Sequence, residues 1–349
     1  MGFAILSIYP MVMSAKFALF EDDAEIRRTE LPIDYSGISE TEQTGGQLSA
    51  VTSAITEWLG KIKPPDAVIG GAPLPSRLPS GIYVIDDALK KYPRNINKGA
   101  MLALRVARGY SSLPLVLVSL SKCEVDAIYK ISGMRGMMFG GRSRIIRIRS
   151  AIRAVSGQMG MSPERCSVVA AYLGNGFSIC SQSEGRVRDF TDSLERGAFS
   201  EGHTGSLPAT AVVRMAYSGM WSKADLLKNV YESGGLSSYF RDAGLNEIIS
   251  MTRDGDAYAS MILRAMINQL AAELSAHAAA LYGKVDAFVL LGKHAMNEFF
   301  VSLLKDKISW ICDKIMIHKV EDELSILAGA ALRYLRGEES LVIRGHSSK

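Results

Sequence analysis

Cysteine is scarce in this 349-residue chain: Cys123, Cys166, Cys180 and Cys312 form no C-x-x-C pair. That spacing gives little support to a zinc site or disulfide framework and fits buried thiols in a reducing compartment best, so the cytoplasm is the expected location. Charge of one sign is also scarce. The formal net charge is only +4, and aromatic residues make up 8%, too dispersed a basic surface and too few stacking rings to read as a nucleic-acid binder. A membrane-length apolar run is missing too. Gly2 to Phe20 comes nearest, but Pro10 and Lys16 interrupt it. It has no basic leader and no cleavage-like sequence, so it reads as a strand hairpin rather than a signal or membrane segment.

What is present is an ordinary globular composition, 48% apolar and 22% charged, in a chain longer than one core usually fills. Apolar runs at Phe3–Ile8, Ser14–Phe20, Ala67–Ile69 and Leu115–Val118 read as strands. Helical periodicity runs through Gln47–Ile62 and Asn97–Gly109. The second half repeats the alternation. Strands are expected at Val285–Leu291 and Lys314–His318, a long buried helix at Ala257–Tyr282, and further helices at Glu298–Ile308 and Leu324–Arg336. Alternating strands and helices predict an α/β protein with helices on the sheet faces. Two halves, each opening with strand hairpins and closing with helices, suggest a duplicated unit. The expected domains are 1–158, with the terminal helix of about 324–349 packing back on it, and 159–323.

The chain is organised around Ala170 to Pro208. A strand ending at Leu173 empties into Gly174-Asn175-Gly176, a second strand follows from Phe177 to Cys180, and a third leads to the loop Phe199 to Pro208. Asn-Gly is a strong hairpin signal, yet a Gly-X-Gly turn also presents bare backbone N–H groups to an anion. The segment Arg135 to Gln158 carries Arg142, Arg144, Arg147, Arg149 and Arg153. These arginines invite a nucleic-acid or phosphate reading; without interleaved aromatics, the plainer account is the solvated face of an interdomain helix.

Leu173-Gly174-Asn175-Gly176, Gly205-Ser206-Leu207-Pro208, Ser233-Gly234-Gly235-Leu236, Lys284-Val285-Asp286-Ala287 and Glu321-Asp322-Glu323-Leu324 occur in that order. The pattern resembles the acetate and butyrate kinases, most closely the butyrate kinases, over essentially the whole chain. The resemblance implies a two-domain, duplicated, actin-like ATPase fold of the sugar-kinase/actin superfamily, with a nucleotide cleft between the domains. It also implies ATP-dependent, magnesium-assisted phosphorylation of a short-chain carboxylate to an acyl phosphate, in a homo-oligomer. By the same resemblance Lys16 faces phosphate, Gly174, Asn175 and Gly176 form the second phosphate loop, and Gly292, Lys293, His294 and Asp242 contact the nucleotide. Glu323 is the magnesium-side carboxylate, and His203 stands where the family keeps a transition-state arginine.

Several positions depart from the family pattern. Tyr9-Pro10-Met11-Val12-Met13-Ser14-Ala15-Lys16 replaces a loop of small donor residues. Gly71 replaces a substrate arginine, Ser119 an aspartate, Gly140 a transition-state histidine and Tyr172 a loop histidine. Losing a guanidinium that stabilises phosphoryl transfer costs about 10³–10⁵ in rate, so the departures predict weakened or altered activity. The alternative is an inactive homologue serving as a nucleotide-binding or partner subunit; a kinase for some other acceptor is a third reading. Individual residues stay open as well. Lys16 is a phosphate contact or a strand lysine facing water. His203 is a surrogate cation or a loop histidine, and Glu323 a metal carboxylate or an acid favoured by a helix N-terminus.

Overall fold

The computed structural model describes residues 2–11, 14–32, 53–60, 63–71, 80–86, 98–118, 127–140, 144–241, 243–319 and 321–342. The chain divides into two units, Met1–Glu124 with Glu321–Lys349, and Val125–Val320. Residues 125–158, assigned from the sequence to the first domain, group with the second unit.

In the first unit the hairpin of β1 (Ala4–Pro10) and β2 (Ser14–Glu21) extends into β3 (Ala24–Pro32). Ile5, Leu6 and Ile8 of β1 are fully buried, which is why the opening of the chain is so apolar. β4 (Ala67–Gly71) and β6 (Leu113–Val118) add on the other side of β1 in parallel, and β5 (Gly81–Val84) closes the edge antiparallel to β6. Helix α1 (Lys98–Tyr110) buries Leu102, Ala103, Val106 and Ala107 at helical spacing. The chain's last helix, α9 (Glu323–Leu335), is capped by Asp322, whose Oδ1 accepts from Ser325 N–H at 2.9 Å. It packs on β1 and β4. Gly71 is closed off there: a Cβ on it would sit 2.8 Å from Leu327 Cδ2.

The second unit repeats this plan. β7 (Val168–Leu173), β8 (Phe177–Ser183) and β9 (Arg186–Asp192) form an antiparallel meander. β10 (Ala287–Leu291) and β11 (Ile315–His318) add in parallel beside β7. The strand orders β3-β2-β1-β4-β6 and β9-β8-β7-β10-β11 are therefore the same. One local device is repeated too. Asp66 Oδ2 accepts from Ala4 N–H at 2.8 Å, and Asp286 Oδ2 from Ser167 N–H at 2.7 Å. In each unit an aspartate just before the fourth strand pins the chain entering the first. Duplication invisible as a sequence repeat is explicit in the topology.

Helix α2 (Ile145–Gln158) packs on β7, β8 and β10, with Ile145, Ile148, Ala151, Ile152 and Val155 buried. α3 (Ala209–Ala216) and α4 (Lys223–Tyr231) bury no residue. The four-residue turn α5 (Leu236–Tyr239) is followed by α6 (Leu245–Arg253), α7 (Ala257–Ala279) and α8 (Glu298–Ile308), and all three feed one apolar core. α7 is not buried all round: Tyr258 and Met261 are exposed. Among the described residues no helix is long and apolar enough to cross a membrane.

Candidate functional site

The site is built at the end of the second unit's sheet, where β7 turns into β8. Leu173 pairs with Phe177, leaving Gly174-Asn175-Gly176 as a three-residue loop with Asn175 exposed at its tip. Among the described residues, none of the three N–H groups in this loop donates to a protein acceptor. The glycines are needed for closeness. A Cβ on Gly176 would lie 2.3 Å from His203 Cε1, and one on Gly174 would lie 2.8 Å from Tyr172 Cε1. No real Cβ tolerates such contacts, so each glycine holds a ring against the backbone.

His203 arrives on the Ser200–Thr204 loop. Ser200 N–H donates to His203 O at 3.0 Å, Gly202 N–H to Asn175 O at 2.9 Å, and Ser200 Oγ to the same oxygen at 2.7 Å. From behind, Gly234 N–H bonds Gly202 O at 3.0 Å and Leu236 N–H bonds Ser200 O at 2.9 Å. A Cβ on Gly235 would stand 2.0 Å from Ser200 O, and its φ of 57° is left-handed, which is the physical reason for a Gly-Gly pair there. Gly205-Ser206 is tied down in the same way, Ser206 N–H donating to Gly197 O at 2.8 Å.

His203 is buried, and its Nδ1 lies 2.9 Å from Ser193 Oγ, which itself accepts from Phe177 N–H at 2.9 Å. The Ser193 hydroxyl thus bridges the Phe177 backbone and the His203 ring. Burial, then the charge of Arg144, push the His203 pKa below its ordinary value against an opposing pull from Asp192. The neutral ring is therefore favoured at neutral pH.

Gly292, Lys293 and His294 come to the same loop from β10. Gly292 has φ 99°, and a Cβ on it would meet Leu173 O at 2.4 Å. His294 is buried between the Gly174 backbone and Glu201, its Nε2 lying 2.8 Å from Glu201 Oε2. Lys293 Nζ is 2.6 Å from the same oxygen. Burial pushes His294 down to about 4 against the attraction of Glu201 and the Gly174 backbone.

Arginine also reaches the loop, although the sequence alone marks its segment as a solvated face. Arg144 Cζ stands 5.1 Å from the centroid of the Tyr172 ring, and Arg147 Cζ stands 5.8 Å from it. Arg144 Nη1 is 3.4 Å from Ser178 Oγ. The Tyr172 ring in turn lies against Gly174, and α2 packs within the second unit. Arg142 lies outside the described residues.

Of the residues singled out in the sequence, Gly174, Asn175, Gly176, His203, Gly292, Lys293 and His294 come together. Lys16 and Glu323 belong to the first unit. Lys16 is half-buried on β2, opposite Tyr9 and Glu30, and Glu323 occupies the first turn of α9. Gly140 donates to Glu195 Oε2 at 2.7 Å. Val12, Met13, Ser119, Cys123 and Asp242 lie outside the described residues. Among the described residues no three His, Cys, Asp or Glu side chains gather as a metal ligand set. Magnesium held by one carboxylate, phosphate oxygens and water requires no such set, so Glu323 remains chemically suitable. Glu201, Ser193 and Arg144 were missed: nothing local distinguishes a loop glutamate, a strand-end serine or one arginine among five.

No protein-family model matches the chain. It is 28% identical over 356 residues to a probable butyrate kinase 2 of Caldanaerobacter subterraneus subsp. tengcongensis, covering 98% of this chain and 100% of that protein. Among solved structures it matches the acetate kinase of Porphyromonas gingivalis with a TM-score of 0.75 at 12% identity, covering 95% of this chain and 100% of the other. A propionate kinase of Francisella tularensis subsp. tularensis matches with a TM-score of 0.68 at 13% identity, covering 94% and 98%. Along its whole length the chain is thus similar to a probable butyrate kinase, and it has the two-domain fold of the acetate and propionate kinases.

Proposed function

We propose that the protein is a carboxylate kinase that transfers the γ-phosphoryl of ATP to a short-chain carboxylate. The observation that carries the reading is convergence: His203 and Gly292–His294 are packed onto the Gly174–Gly176 loop. In the reaction a carboxylate oxygen forms the new bond to the γ-phosphorus as the bond to the β,γ-bridging oxygen breaks and ADP leaves. The acceptor is already ionised, so the site needs donors and cations around the moving charge rather than a general base. The loop N–H groups, the His203 ring and the arginines beside Tyr172 are read as supplying that chemistry. Lys16 is read as a further phosphate contact and Glu323 as the carboxylate beside magnesium. Asp242 is read as a nucleotide contact.

The free thiols of Cys166, Cys180 and Cys312 support a reducing, cytoplasmic setting. Helices α3 and α4, with no buried residue and with Val213, Tyr217 and Met220 exposed, support a homo-oligomer. A nucleotide-binding subunit without turnover is the second reading, favoured by the neutral His203 where the family keeps an arginine. Trapping acyl phosphate as hydroxamate with ATP, magnesium and a panel of C2–C6 carboxylates decides between them. Turnover supports the kinase, whereas ATP binding without product across the panel supports the subunit.

A further inference from the structure

Glu201 stands two residues before His203 on the Ser200–Thr204 loop. Its backbone oxygen accepts from Ser237 N–H at 3.0 Å and from Ser237 Oγ at 2.9 Å, which fixes the point from which its side chain starts. The carboxylate is largely buried and reaches two other parts of the second unit. Oε2 lies 2.6 Å from Lys293 Nζ and 2.8 Å from His294 Nε2, in the turn after β10. Oε1 lies 3.5 Å from where a Cβ on Gly244 would be, at the head of α6. Among the described residues neither Glu201 Oε2 nor His294 Nε2 has an aligned hydrogen-bond partner, and both atoms are buried. Charge at short range therefore holds these contacts, in a place shielded from water. His294 cannot swing away from them. Its ring meets Phe177, the first residue after the glycine loop, edge-on with centroids 6.4 Å apart, and it packs against Phe300 at 6.2 Å.

We propose that Glu201 is a positioning residue: its carboxylate clamps the Gly292–His294 turn to the loop that carries His203, so that a nucleotide seated on the turn is in register with the glycine loop. The inference rests on the kinase reading, which makes that turn part of the nucleotide's seat. Lys293 is more than half exposed, at 58%, and an ion pair with so exposed a lysine adds little stability. What the pair adds is position. Glu201 is not itself a ligand for the phosphates, whose charge it would repel; Lys293 offsets that charge. Two consequences of removing the carboxylate's charge can therefore be told apart. If Glu201 acted only through its field on the phosphates, its loss would strengthen ADP binding and leave adenosine unchanged. If it acts as a clamp, its loss weakens both alike, because the whole seat is displaced.

The test uses the full-length protein and its E201Q and E201D variants. ADP and adenosine binding are measured by calorimetry, kcat and KM by hydroxamate trapping, and folding by thermal unfolding. E201Q keeps the shape of the side chain and removes its charge. Expected is about a tenfold to hundredfold loss of affinity for adenosine and ADP together, the range for a contact made by a charged group. The KM for ATP is expected to rise by a similar factor, with the KM for the carboxylate unchanged. His203 keeps its own ties to Ser193 and Gly176, so kcat is expected to move less than KM. If the native protein makes no acyl phosphate but E201Q weakens adenosine and ADP together, the carboxylate reading fails and the role of Glu201 stands. If the native protein turns over and E201Q binds both ligands like it, or binds ADP more tightly, the kinase reading stands and the proposal is overturned. A purely structural role would lower calorimetric stoichiometry and apparent kcat with affinities and KM unchanged, and that outcome overturns it as well. If E201Q does not fold, E201D decides, since its shorter side chain keeps the charge but draws it back from Lys293 and His294. Joint loss of adenosine and ADP supports the clamp, and native affinities overturn it. If the native protein binds neither ligand, both readings fall.

Discussion

Replacing Gly176 by alanine tests whether the loop glycine exists to hold His203. The added Cβ falls 2.3 Å from His203 Cε1, 2.4 Å from Nδ1 and 3.1 Å from Ser193 Oγ. The ring cannot yield freely, because it is buried and tied to Ser193 at 2.9 Å. Overpacking of this kind costs about 1–3 kcal/mol, and breaking the Ser193–His203 bond adds about 1 kcal/mol. Alanine recovers about 0.4–1 kcal/mol by restricting the unfolded chain. The net loss is therefore roughly 1–3 kcal/mol, a fall of about 2–12 °C in the unfolding midpoint of a domain this size. Gly157 is the control. It lies inside α2 with nothing within 4 Å of a Cβ, so G157A should stabilise by about 0.5–1 kcal/mol. The same chemical change thus acts with opposite sign at two sites. Thermal and urea unfolding measure both, and a histidine NMR spectrum reports whether His203 has moved. If G176A is as stable as the native protein and the His203 resonances stay put, steric holding of the ring by Gly176 is wrong.

Two further outcomes follow from the same geometry. His277 is fully buried between Ser181 Oγ at 3.2 Å and Thr191 Oγ1 at 3.0 Å, and burial pushes its pKa down to about 3. Because the folded value lies below that of the unfolded chain, stability is intact above about pH 6.5 and is lost as the pH falls from there toward 3. The loss approaches about 1.4 kcal/mol per pH unit. Denaturation of the native protein and H277Q from pH 7 to 4 should converge, with H277Q showing the shallower dependence; parallel curves would count against a neutral buried His277. D286A and D66A remove the same anchor from the two units, a carboxylate accepting one backbone N–H. Each should cost about 1.5–3 kcal/mol, and hydrogen exchange should quicken at Ser167 in the first variant and at Ala4 in the second. An effect seen in only one unit would contradict their structural equivalence.

Much of the fold is legible along the chain because its signals are local. The opening hairpin, the buried runs at Ala67–Ile69 and Leu115–Val118, and the long helix from Ala257 all follow from periodicity and from where proline and glycine interrupt it. The Gly174–Gly176 loop is legible for the same reason, as two apolar runs joined by a Gly-X-Gly turn. The arginine segment is not. Arg142, Arg144, Arg147, Arg149 and Arg153 look alike in sequence, and only the docking of α2 on β7 puts Arg144 and Arg147 against Tyr172. Nor does the sequence say that His203 is neutral, since that depends on burial, on Arg144 and on Asp192, all set by packing.

By itself, then, the sequence determined an α/β protein with a glycine loop after its central strand and a motif order that resembles the carboxylate kinases. Those features are written in neighbouring residues, where side-chain size, turn chemistry and strand alternation act over a few positions. The tertiary structure decided which charges meet that loop. Arg144, Glu201 and His294 lie far apart along the chain and converge only because α2, the Ser200–Thr204 loop and the end of β10 are packed around one end of the sheet. Electrostatic roles depend on distance and burial in three dimensions, and neither can be read from order along the chain.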